Sequence, residues 1–131
     1  MTPRNALRHV LAQPEYPGWE GDIRIERLAS VSHNLARSFS FSDKRNAPVH
    51  CVPLGRLVTV QPNVDRKWVV HLLRNGWADP ILVSTHPTDP HVFIIQDGHH
   101  RAYVAALLGM PCIRAKVVPF PPNPNARSYP W

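Results

Sequence analysis

The chain has 131 residues, enough for one domain with a real buried core, and its 44% apolar content is ordinary for a globular protein. Fifteen Lys and Arg against nine Asp and Glu give a formal charge of +6. That favours anionic partners such as nucleotides, nucleic acid or phosphorylated substrates, although a generic solvated basic surface would give the same figure. The charge is scattered, with no run that would mark a basic tail. No stretch reaches the apolar length of a membrane span, and Met1-Thr2-Pro3-Arg4-Asn5 opens onto no long hydrophobic region. A cytoplasmic protein without a membrane partner is therefore expected.

In chain order, Asn5 to Gln13 is compatible with one or two helical turns carrying Leu7, Val10 and Leu11, before Pro14, Pro17 and Gly18 interrupt it. Trp19 is expected to pack onto the domain. Ile23, Ile25 and Leu28 alternate with polar residues and suggest a strand. Leu35 to Phe41 alternates again and suggests a second strand, hairpin-paired with the first, and Ser42 to Pro48 reads as a polar loop. Residues 1–48 thus form an N-terminal extension, partly packed on a core at 49–118. Residues 119–131 form a Pro-rich tail, extended from Phe120 to Trp131.

Within 49–118 the signal is stronger. Val52 to Leu57 reads as a short strand or turn leading into Val58 to Asn63. Val64, Trp68 and Leu72 follow i, i+4, i+8 spacing, with Val69 and Leu73 on a neighbouring face. They predict an amphipathic helix from Val64 to Asn75, capped by Asn63 and closed at Gly76. Trp68 and Trp77 read as core or pocket wall rather than base-stacking platforms. Pro80 to Val83 is a short buried strand, and His86 to Pro90 a proline-broken turn. Cys51 and Cys112 form no metal-binding spacing, and the apolar run Cys112-Ile113 predicts a buried reduced thiol.

Chemistry concentrates at Asp97-Gly98-His99-His100-Arg101. His91 to Ile95 is an apolar, β-branched strand, and an alanine-rich helix runs from the motif to Gly109, followed by Pro111 and a last strand from Ile113 to Val118. Asp97 is a good helix N-cap, and its functional alternative is a magnesium ligand or a base. Gly98 allows a sharp turn or close approach of a ligand. The free N–H groups and positive dipole end at a helix start attract anions, and Arg101 offers a planar fork of donors suited to phosphate. Against that stands an ordinary surface arginine paired with a carboxylate. His99 and His100 diverge by about 100° on a helix, so one is expected to contact phosphate or shuttle a proton while the other packs. They lack the i, i+4 spacing of zinc pairs. Asp65 precedes Arg66 at a helix start, where an acid also stabilises the dipole.

Two boxes resemble the ParB/sulfiredoxin superfamily, specifically the ParB-like N-terminal domain. One is Val60-Gln61-Pro62-Asn63 through Asp65-Arg66 and the helix to Gly76 and Pro80-Ile81-Leu82-Val83. The other is Asp97-Gly98-His99-His100-Arg101 with Ala105-Ala106, Gly109 and the strand to Val118. The resemblance covers about residues 52 to 118. It implies an α+β fold with a small mixed β-sheet and packed helices, and a site for ATP or CTP with Mg²⁺. In that site Gly98, His99, His100 and Arg101 embrace the phosphates, Arg66 approaches from the facing element, and Gln61 contributes from the first box. Asp97 and Asp65 are the candidate Mg²⁺ ligands, and Asp97, His99, His100 and Arg101 the candidate catalytic residues.

The departures are as informative. No cysteine stands in the second box, which argues against sulfinic acid reductase chemistry. His99 occupies the place of the glutamate found in chromosome-segregation relatives, and a helix-turn-helix domain has no room, so a sliding DNA clamp is not expected. The sequence therefore points to a nucleotide-binding domain with possible NTP hydrolysis or phosphoryl transfer. The alternative is a non-enzymatic nucleic-acid-binding module or nuclease-like protein using the basic surface.

Overall fold

The computed structural model describes residues 1–121, so most of the Pro-rich tail expected at Phe120 to Trp131 lies outside the described residues. Helix α1 (Pro3–Ala12) begins at Thr2, whose hydroxyl accepts the Asn5 N–H at 3.2 Å, with Pro3 in the first turn, where its missing N–H costs nothing. α1 buries Ala6 and Val10 and packs on helix α3 (Arg66–Asn75). A wound loop leads from α1 to strand β1 (Asp22–Arg24). β1 pairs antiparallel with β5 (Asn63–Asp65) in a small two-stranded sheet, in which Asp22 stands opposite Asp65 and Ile23 opposite Val64.

The main sheet is mixed and six-stranded. Its members are β2 (Ala29–Ser30), β3 (Val49–Pro53), β4 (Leu57–Thr59), β6 (Ile81–Thr85), β7 (Phe93–Asp97) and β8 (Cys112–Val118), in spatial order β2-β4-β7-β6-β8-β3. The β2–β4, β4–β7 and β6–β8 pairs are parallel, and β6–β7 and β8–β3 are antiparallel. Helix α4 (His99–Leu107) follows β7 directly and covers one face, burying Ala102, Tyr103, Val104, Ala105 and Leu107. Its alanines let it lie close to the sheet, where Ile81, Val83, Ile95 and Ile113 meet it in one core. Ile23, Ile25, Leu28, Ala6 and Val10 belong to that same core, so the first 48 residues supply part of the interior. Successive strand residues face opposite sides, and Val58, Val60 and Ile94 form a smaller cluster apart from the main core. The α+β class and the mixed sheet agree with the sequence.

Several local expectations are corrected. Leu35 to Phe41 forms no strand: His33–Leu35 is a 3-10 turn, and β1 pairs with β5 instead. The polar segment after it is helix α2 (Phe41–Asn46), started by Ser40, whose hydroxyl accepts the Asp43 N–H at 3.1 Å. Asn63 is a strand residue rather than a cap, because pairing with β1 claims 63–65 and moves the start of α3 to Asp65. Of the two places expected for Trp68, core or pocket wall, the second holds: it is 57% exposed and lines a cavity. Finally, Cys51 and Cys112 are disulfide-bonded with Cα atoms 5.4 Å apart. The β3–β8 ladder places Cys51 against Arg114 and Pro53 against Cys112, which brings the two thiols together and rules out the isolated buried thiol. Beyond the sheet, the Phe120 N–H donates to Thr85 Oγ1 at 2.8 Å, and the Arg37 guanidinium lies 4.7 Å from the Phe120 ring. Among the described residues no helix is long and apolar enough to cross a membrane.

Candidate functional site at the start of helix α4

The residue that starts α4 is Gly98, in the left-handed region at φ 98°, and no side chain caps the helix. Asp97 is therefore not the N-cap. It ends β7, and its carboxylate, 77% exposed, lies 3.8 Å from an Arg101 nitrogen. A Cβ on Gly98 would stand 2.5 Å from Ile81 Cγ2, so the glycine is required by conformation and by space. The close approach it permits is that of β6 against the helix start. With no side-chain cap, the first-turn N–H groups keep their positive end of the helix available to an anion.

The three polar residues of the first turn part company. His99 turns inward and is 8% exposed; its Nε2 has no hydrogen-bond partner among the described residues. Burial, helped by the neighbouring His100, pushes its pKa down to about 4, so its ring is neutral. His100 turns toward β5, and its Nε2 accepts the backbone N–H of Asp65 at 3.0 Å, which leaves the proton on Nδ1. Burial holds its pKa below the usual histidine value, against the opposing charges of Asp65 and Asp22. Arg101 donates through one nitrogen to the carbonyls of Asp79 (3.0 Å) and Pro80 (3.1 Å), anchoring the loop into β6. Its other terminal nitrogen faces Gly98 and Asp97.

Two cavities meet at His100. The smaller, about 260 Å³, is lined by Trp68, Leu72, Asp97, Gly98, His100 and Arg101. It combines the open helix start, a guanidinium and an exposed indole. The larger, about 540 Å³, lies on the other side, with Trp19, Asp22, Gln61, Asn63, Asp65 and His100 in its wall.

Gly98, His100, Arg101 and Asp97 are thus brought together, whereas the remaining candidates are not. Arg66 turns away: its guanidinium donates to the carbonyls of Leu11 (3.2 Å) and Gln13 (2.6 Å), closing the C-terminal end of α1, and it lines neither cavity. Gln61 lies in the larger cavity, its amide donating to the Asn63 carbonyl at 2.9 Å. Asp65 caps α3, accepting the Lys67 N–H at 2.9 Å, and shares the larger cavity with Gln61, not the smaller one with Asp97. Asp97 and Asp65 thus line different cavities, and no group of three or more His, Cys, Asp or Glu among the described residues is arranged to hold a metal. Asp22 and Trp19 were not among the expected site residues, and Trp68 was expected only as core or pocket wall. Asp22 reaches the cavity only through the β1–β5 pairing, which no local pattern announces, whereas Trp68 lies on the predicted helix face beside the motif.

No protein-family model and no curated protein matches the chain. Among solved structures it is similar to the C-terminally truncated chromosome-partitioning protein ParB of Caulobacter crescentus, complexed with CTP-γ-S. The TM-score is 0.47 and the identity 18%, over 56% of this chain and 46% of that one. It is also similar to the sulfiredoxin of Arabidopsis thaliana, with a TM-score of 0.43 and 24% identity over 53% of this chain and 83% of that one. The match thus spans less than half of the ParB chain. Each likeness extends over little more than half of this chain.

Proposed function

We propose that this protein binds a nucleotide at the start of helix α4, with phosphate against the Gly98–Arg101 turn and the base against Trp68. The observation that carries this reading is the uncapped, glycine-opened helix start facing a cavity that also presents Arg101 and an exposed tryptophan. Phosphate answers the helix N-terminus and the guanidinium, and a base answers the indole face. The chemistry favours binding over turnover. His99 is enclosed, and the Nε2 of His100 already accepts a backbone N–H. A general base at this turn is therefore not prepared.

Calorimetric titration of ATP, CTP and GTP, with and without Mg²⁺, tests the reading. Binding of at least one is expected. Arg101→Ala and Trp68→Ala should each weaken it, the latter by about 1–3 kcal/mol, the value of one stacked base. No heat with any nucleotide overturns it. A nucleic-acid-binding module would instead show DNA or RNA affinity that falls steeply with salt and survives Arg101→Ala.

A further inference from the structure

The larger cavity differs in character from the helix start beside it. At about 540 Å³ it is within the size range of small-molecule sites. Its walls include the aromatic rings of Tyr16 and Trp19 and two carboxylates, Asp22 and Asp65, which stand opposite one another in the β1–β5 pair. Among the described residues no lysine or arginine lines it, although the chain as a whole carries a formal charge of +6.

The hydrogen bonds in the wall leave acceptors uncommitted. One Asp22 oxygen accepts the Asn63 amide and one Asp65 oxygen accepts the Lys67 N–H, so each carboxylate keeps a second oxygen without a partner among the described residues. The amide oxygens of Gln61 and Asn63 are likewise uncommitted there, since both side chains donate through nitrogen. His33 donates from Nδ1 to the Val60 carbonyl at 3.3 Å. Tyr16 already demonstrates what its ring attracts: the Arg24 guanidinium lies 5.0 Å from its centroid.

From this combination we infer that the cavity between β1, β5 and the Tyr16–Trp19 loop binds a small organic cation, a guanidinium or primary ammonium. The charged head would lie between the Asp22 and Asp65 carboxylates and the apolar stem against Trp19. A neutral nucleobase would leave the two carboxylates without a counter-charge, since no described lysine or arginine lines the cavity, whereas a cation with several N–H donors can answer both. Trp19, 59% exposed, is then the lid-side wall of a site rather than a stranded surface aromatic. This site is separate from the nucleotide reading and does not depend on it.

The indole N–H signals of Trp19 and Trp68 report the two cavities independently. Titration of the full chain with butylguanidinium should move the Trp19 signal, with a Kd of about 1 mM or tighter. Butylurea, of the same shape but uncharged, should bind about tenfold more weakly or worse. Asp22→Asn should remove that preference. Because Asp22 also holds Asn63, Trp19→Leu serves as a second variant at an exposed position; read through the remaining wall resonances, it should weaken butylguanidinium while leaving the circular dichroism spectrum unchanged. The cation could come from a free amine or from a basic side chain of another protein, and a blocked Gly-Arg-Gly peptide, titrated alongside, tells these apart: the tighter of the two probes names the source. Equal binding of butylguanidinium and butylurea, no movement of Trp19, or a nucleotide that shifts Trp19 and not Trp68 overturns the inference. A nucleotide that fails to bind anywhere leaves it standing and removes only the function proposed for the helix start.

Discussion

The ring of His100 and the backbone of Asp65 are joined by a single hydrogen bond, Asp65 N–H to Nε2 at 3.0 Å, and this bond ties the start of α4 to the start of α3. It also separates the two cavities, since His100 lines both. Removing the ring orphans a partly buried N–H at the cap of α3, which costs about 1–3 kcal/mol. His100→Ala should lose about that much in urea unfolding, and a hydrogen-exchange measurement should show the Asp65 amide among the most accelerated. A loss of stability without faster exchange at Asp65 would mean the ring acts only by packing.

Gly98→Ala should be more damaging than any other alanine substitution in the motif. The backbone sits at φ 98°, and the new methyl would stand 2.5 Å from Ile81 Cγ2 and 2.8 Å from its Cβ. Left-handed strain and overpacking each cost on the order of 1–3 kcal/mol. Ile81→Ala removes the 2.5 Å Cγ2 contact but keeps Cβ and the left-handed strain, so Gly98→Ala should cost less in the Ile81→Ala background than in the wild type without becoming harmless. Full additivity of the two substitutions would contradict the contact.

How much of this was legible depends on sequence distance. The strand–turn–helix from Phe93 to Leu107 is a local pattern, and the turn residues, the alanine face and the end near Gly109 could all be read from it. The identity of the cap could not: Asp97 and Gly98 are both good starters, and only the left-handed backbone against Ile81 decides for the glycine. Asn63 and Asp65 compete in the same way for α3, and the decision is made by β1, far back in the chain. Arg66 was a phosphate-ligand candidate through the resemblance of the first box, yet the carbonyls of Leu11 and Gln13 claim it once α1 packs alongside. The larger cavity was illegible for the same reason, since Asp22 and Trp19 reach it only through long-range pairing.

His99 makes folding sensitive to mild acid. Its pKa falls from 6.5 to about 4 on burial, so between these values the unfolded chain binds a proton that the folded one refuses. The contribution is fully present above about pH 6.5 and is lost as pH falls toward 4, up to about 3 kcal/mol in all. His100, also lowered, acts in the same direction. Urea midpoints measured from pH 7 to pH 4 should fall, and His99→Gln should flatten the slope. A midpoint that stays level in the wild-type protein would show that His99 is not enclosed in solution.

The disulfide joins the edge strand β3 to β8 across a sequence separation of 61 residues. Closing so long a loop restricts the unfolded chain, and such bonds contribute about 2–4 kcal/mol. β3 has only one strand neighbour and is mostly exposed, with Val52 its single buried side chain, so it gains less than an interior strand from packing. Reduction with dithiothreitol should therefore lower the urea midpoint and accelerate amide exchange in β3 ahead of β6 and β7. The Cys51→Ser/Cys112→Ser variant should match the reduced wild-type protein and be insensitive to reductant. If reductant leaves the wild-type midpoint unchanged, the two sulfurs are not bonded in solution, and β3 is held by its ladder to β8 alone.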